Sequence, residues 1–125
     1  MAENGSFAEV LGTEVSSAED GRAVVSLRAE GWHLNDAGTV HGGVVSALID
    51  VSMAEALNTL TEEGEQPFTI QLTVNYMKPG ESGTLTSTAQ VRKGGDRITI
   101  VEAEVVQEDS GEVAALATGT YAPVG

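Results

Sequence analysis

"HGGVVSALIDVSMAEALNTLT", residues 41–61, is the only stretch of this 125-residue sequence with the length and composition of a long helix. Val44, Val45, Ala47, Leu48, Ile49, Val51, Met53, Ala54, Ala56, Leu57 and Leu60 fall on every side of its helical wheel. A helix that is apolar all round is a buried one. Gly64 supplies a C-terminal stop just beyond it. The stretch therefore predicts one central helix with other elements packed around it.

What surrounds it reads as β-structure. Upstream, "FAEVLG" predicts a helical turn or two ending at Gly12. "TEVSSAEDGRAVVSLRAE" predicts a hairpin turning at Asp20-Gly21, with Ala23, Val25 and Leu27 on one face of its second arm. "GWHLNDAG" is a loop by its Gly, Asn and Asp content. Downstream, alternating segments cover 68–77, 83–93, 97–109 and 112–124. They are separated by Lys78-Pro79-Gly80, Gly94-Gly95-Asp96 and Ser110-Gly111. The order β-β-α-β-β-β-β predicts an α+β fold, a six-stranded antiparallel sheet curled around one long central helix. Residues 1–125 read as a single domain.

Composition narrows the partners. Nineteen acidic against six basic residues give a formal charge of −13, which repels nucleic acid and anionic membranes. The acids are scattered, and only two lysines occur, the pattern of a salt-adapted surface. No apolar run approaches the roughly 20 residues that span a bilayer. The first residues lack the basic and apolar regions of a secretory signal. Cysteine is absent, which removes disulfides, thiolate metal sites and a cysteine nucleophile, and the simplest address is the cytoplasm.

Asp50 is the anomaly of the central helix. It shares a face with Gly43 and Ser46, and Met53, Ala54 and Leu57 continue that face as an apolar strip. One reading makes it a solvated acid, or a core acid satisfied by Ser46 or backbone. The other makes it functional, because burying an unpaired carboxylate costs several kcal/mol. Gly42 and Gly43 open the helix, where free N–H groups and the positive dipole end can hold an oxyanion. The same glycines would equally serve a tight loop-to-helix turn. Seven helical residues separate Gly43 from Asp50 by about 10 Å along the axis. One carbonyl cannot be reached by both from a single helix. An active site using both is therefore shared between two subunits with antiparallel helices.

Other groups near the helix entrance are His41 and Asn35, an electrophilic donor and a loop or water holder. Two histidines, His33 and His41, do not make a metal site. No nucleophile elbow or phosphate-binding Gly-Lys loop is present.

With these residues in place, the sequence resembles the hotdog-fold acyl-CoA thioesterases of the PaaI type, relatives of acyl-CoA thioesterase 13. The resemblance runs from "LGTEV" to "GTYAPV". Its specific part is Asn35, five residues, His41-Gly42-Gly43, six residues, Asp50, followed by "TIQLTVNYMKP" at 69–79. It implies hydrolysis of an acyl-CoA to the free acid and coenzyme A. It also implies dimers with a continuous sheet, commonly paired into homotetramers, and two sites per dimer at the interface.

By position, Asp50 would be base or nucleophile, and the Gly42 N–H, helped by Asn35, would polarise the carbonyl. His41 would sit near the thiolate or Asn35, and Thr69 would hold the attacking water from the partner's strand. Gly43 would be structural, flanking the substrate with Ser46, Met53, Ala54 and Leu57. Lys78, Arg92, Lys93 and Arg97 are the basic residues available to coenzyme A phosphates. No metal or redox cofactor is expected. Two other readings on the same fold are a non-catalytic acyl-CoA-binding module and a hydratase or dehydratase.

Overall fold

Both residues of the Asp20-Gly21 turn adopt positive φ, 53° and 79°, the geometry that suits the twist of a two-residue hairpin. The hairpin they close is the first part of the sheet. In a computed structural model, residues 5–62, 65, 67–93 and 97–122 are described, Lys93 by its backbone alone. Gly64 and the Gly94-Gly95-Asp96 turn lie outside the described residues.

A short helix, α1 (Phe7–Leu11), opens this part of the chain. Ser6 and Glu9 form its capping box, and Gly12 ends it in the left-handed region, as the sequence predicts. Strands β1 (Thr13–Glu19) and β2 (Arg22–Ala29) form the hairpin. The following loop carries one 3-10 turn, Gly31–His33, and a bridge between Leu34 and Val40. Helix α2 (Gly42–Asn58) comes next, then β3 (Phe68–Tyr76), β4 (Gly83–Lys93), β5 (Thr99–Gln107) and β6 (Glu112–Ala122). All neighbours pair antiparallel in the spatial order β1-β2-β4-β5-β6-β3. This is the expected α+β hotdog architecture, a six-stranded sheet with a long helix packed on its concave face.

The core lies between α2 and the inward positions of the central strands. Ala23, Val25 and Leu27 of β2 meet Leu85 and Ala89 of β4, Val101 and Val105 of β5, and Leu48, Ile49 and Met53 of α2. Fully burying each large aliphatic side chain contributes about 1.5–3 kcal/mol. Within one chain the sheet covers one side of α2 only. Val45, Leu48, Ile49, Ser52, Met53, Ala56 and Leu57 are buried, whereas Val44, Ala47, Val51 and Ala54 stay half-buried. The helix also ends at Asn58, three residues before the sequence predicts. The all-round apolar pattern thus serves two surfaces, the sheet on one side and an uncovered strip on the other.

Two local features position the site. The first is a register shift in β3 between Thr69 and Gln71. In a regular strand Thr69 and Leu72, an odd number of residues apart, would face opposite ways. The bulge turns both inward, Leu72 onto the core and Thr69 toward α2. The second is Gly119 on β6, where a Cβ would lie 2.6 Å from the Met53 sulfur and 2.9 Å from the Tyr121 ring. Glycine there lets the helix settle directly onto the sheet.

Candidate active site

Asp50, half-buried in the middle of α2, receives two hydroxyl groups on one oxygen. Tyr121 at the end of β6 donates to its Oδ1 at 2.7 Å, and Thr69 at the start of β3 donates to the same atom at 3.2 Å. Thr69 and Tyr121 are register partners across the β3–β6 ladder, which sets the two hydroxyls side by side. Oδ2 makes no hydrogen bond among the described residues. Tyr121 is only 3% exposed. Burial, then the hydrogen bond to Asp50 and its negative charge, push the phenol above its ordinary range, with Thr69 acting in the opposite sense. The phenol is therefore kept as an O–H donor. Thr69 thus reaches Asp50 of its own chain, which differs from the expectation that it would act from the partner's strand. The bulge in β3 is the reason.

The N-terminus of α2 forms the second half. His41 is the N-cap, and its Nδ1 accepts from the Gly43 N–H at 2.8 Å. That contact leaves the ring proton on Nε2. The His41 carbonyl accepts from the Val44 and Val45 N–H groups. Gly42, whose N–H has no partner among the described residues, is the donor left over at this helix start. Tyr76, at the end of β3, donates to the Gly42 carbonyl at 3.1 Å, and its hydroxyl also pairs with Ser46 Oγ. A cavity of about 310 Å³ opens beside Gly42, bounded by Val40, Val45, Tyr76, Met77, Lys78 and Pro79 among others.

The remaining predicted residues divide. Asn35 is occupied by its own loop: its Oδ1 accepts from the Ala37 and Thr39 N–H groups and its Nδ2 donates to Thr39 Oγ1. It shapes the turn before the helix. Met53 and Leu57 belong to the core, where the helix meets the sheet, while Gly43, Ser46 and Ala54 remain accessible. A helical wheel shows which residues share a face but not which way that face is turned, and this is why core and surface were mixed.

Among the basic candidates, Lys78 pairs with Glu112 across β3 and β6 and holds that carboxyl below its usual range. Arg92 meets Glu102 at 2.7 Å in a separate hollow on the outer face of the sheet. Arg97 is exposed before β5, and the Lys93 side chain lies outside the described residues. Lys78 and Arg92 are thus held by carboxylates at different places on the sheet. His33 is buried and hydrogen-bonds the Leu11 carbonyl, a structural role.

Tyr121 and Tyr76 are the residues that sequence reasoning missed. Each closes an alternating strand, and a terminal tyrosine in such a strand reads as ordinary core. For Tyr121 the signal available was chemical: a phenol on an inward position needs a hydrogen-bond partner.

This arrangement, a carboxylate with positioned hydroxyls and a helix start with a free N–H, is one suited to hydrolysing an activated carbonyl. Comparison with known proteins supports that class. Residues 37–114 match the thioesterase superfamily, and the chain belongs to it. It is a thioester hydrolase by that membership. The acyl-coenzyme A thioesterase PaaI of Escherichia coli is 34% identical over 115 residues, covering 91% of this chain and 80% of the relative. Human acyl-coenzyme A thioesterase 13 is 29% identical over 117 residues, with coverages of 92% and 83%. Among solved structures, PA5202 from Pseudomonas aeruginosa superposes with a TM-score of 0.90 at 32% identity, covering 96% of this chain and 94% of that one. The PaaI protein from the phenylacetic acid degradation operon of E. coli gives 0.89 at 32% identity, with coverages of 100% and 88%.

Proposed function

We propose that the protein hydrolyses an acyl-CoA thioester to the free acid and coenzyme A in sites shared between two subunits. Asp50 of one subunit takes a proton from water as the water oxygen bonds to the carbonyl carbon. The Gly42 N–H of the other subunit stabilises the oxyanion. The C–S bond then breaks, and the thiolate leaves with the proton that Asp50 had held. His41, whose Nε2 carries its ring proton, stands on the Gly42 side to assist the leaving sulfur.

The observation that carries this reading is the separation of the two halves along one helix. Gly42 and Asp50 are two turns apart, so about 12 Å of rise divides them. A second copy with an antiparallel helix brings them together. The half-buried apolar strip of α2 and the edge strand β3 provide the surface for it. Phe68, Ile70 and Met77 on or next to that strand are 56%, 52% and 58% exposed, more apolar area than an isolated edge normally carries. Pairing of such dimers into a tetramer belongs to the same proposal.

Lys78, on the rim of the cavity beside Gly42, supports placing a phosphate of coenzyme A there. Beyond that coenzyme, which arrives as part of the substrate, the proposed steps call for no cofactor. A cytoplasmic address and adaptation to salt complete the proposal, resting on the lack of cysteine and the charge of −13. The test is a panel of short, medium, long and aryl acyl-CoA esters assayed at low and at molar salt. Turnover of at least one ester is expected, with folding improved at high salt, where the Debye length is about 3 Å. Binding of these esters without turnover would overturn it.

A further inference from the structure

We infer that Tyr121 is a positioning residue for the hydrolysis: with Thr69 it fixes Oδ1 of Asp50, so that Oδ2 is the oxygen presented to the reacting water. This inference rests on the reading of Asp50 as the base.

Three features converge on it. First, both donors meet the same oxygen, 2.7 and 3.2 Å away, and leave the other without a hydrogen bond among the described residues. A carboxylate satisfied for structural reasons alone would more readily spread its donors over both oxygens, since each can accept two. Second, the two donors come from paired positions on adjacent strands, Thr69 and Tyr121, so neither can move without the ladder. A base held this way keeps one rotamer and one reactive lone-pair direction, which is what proton transfer at a fixed distance requires. Third, space has been kept for the phenol. Gly119, two residues earlier on the same face, leaves room for both the Tyr121 ring and Met53 where any Cβ would force one of them aside. Tyr121 is the one titratable group hydrogen-bonded to Asp50 among the described residues.

The test is Tyr121→Phe, which keeps the ring and removes the donor, measured beside Asp50→Asn. Loss of one hydrogen bond to a charged group is expected to lower kcat by about 10- to 100-fold, with KM changed by less than about threefold. kcat/KM is expected to fall together with kcat, the mark of an interaction made in the transition state. A kcat within about twofold of the parent overturns the inference provided Asp50→Asn is inactive. Full activity of Asp50→Asn instead overturns the reading of Asp50 itself, so the two failures are distinguishable. Should Tyr121→Phe fail to fold, 3-fluorotyrosine at position 121 tests the same point. As a donor of altered strength and nearly the same size it is expected to change kcat by more than about twofold with KM kept, and an unchanged kcat overturns the inference.

Discussion

Met53 and Gly119 touch across the helix–sheet interface so closely that a methyl group on Gly119 would lie 2.6 Å from the methionine sulfur. The same methyl would stand 2.9 Å from the Tyr121 ring, which is tethered to Asp50. Methionine can swing aside, but the tethered ring has less freedom. Gly119→Ala is expected to destabilise the fold by about 1–3 kcal/mol. It should also lower kcat, as the phenol is pushed off Oδ1. Thermal unfolding and a single-ester assay measure the two effects, and a variant with unchanged Tm and kcat would contradict the packing described.

Asp50→Asn keeps the shape of the side chain and removes the proposed base. A decrease in kcat of about 10²- to 10⁴-fold is expected, with the secondary structure by circular dichroism unchanged.

The proposed sharing of the site between subunits makes a prediction that a site within one chain does not. Proline is tolerated at the first position of a helix, where the N–H has no intrahelical acceptor. Gly42→Pro therefore deletes the proposed oxyanion donor while α2 still starts at the same place. Gly42→Ala is the control, because its Cβ would meet the Tyr76 ring at an ordinary 3.6 Å and the N–H is retained. Gly42→Pro and Asp50→Asn chains should each be inactive alone. Unfolded together and refolded at equal amounts, half the dimers are mixed, and one of the two sites in each is intact. About a quarter of the parental activity is then expected. No recovery would mean that both groups act from one chain or that one of them does not act.

Stability at alkaline pH follows from Tyr121. Its folded-state value is raised above that of an unfolded tyrosine, about 10. Its contribution is complete below pH of about 10, and it is lost as the pH climbs further, because the unfolded chain then releases a proton that the folded chain keeps. Urea unfolding of the parent should show stability declining above that pH, and Tyr121→Phe should show a shallower decline.

Much of the fold could be read from residue patterns. The Asp20-Gly21 hairpin, the strand starts at Phe68, Gly83 and Glu112, and the central helix all follow from local periodicity and turn chemistry. Those signals are local, and the elements they define were legible for that reason. The setting of Asp50 is different. Thr69 faces it only because of a bulge at Ile70, and Tyr121 reaches it from 71 residues away through a strand pairing that no local pattern specifies. The contacts of Asn35 are local instead, to Ala37 and Thr39, and an Asx-type turn and a polar catalytic loop look alike in sequence.

Strand β3 follows directly after the helix in sequence yet lies at the far side of β6, the last strand. Until residues 112–122 have been made, β3 has no strand to pair with and Asp50 has one of its two donors missing. Long-range closure of this kind is the slow part of folding. The proposed base therefore gains its full set of hydrogen bonds only when β6 has paired with β3, long after the helix that carries it has been made.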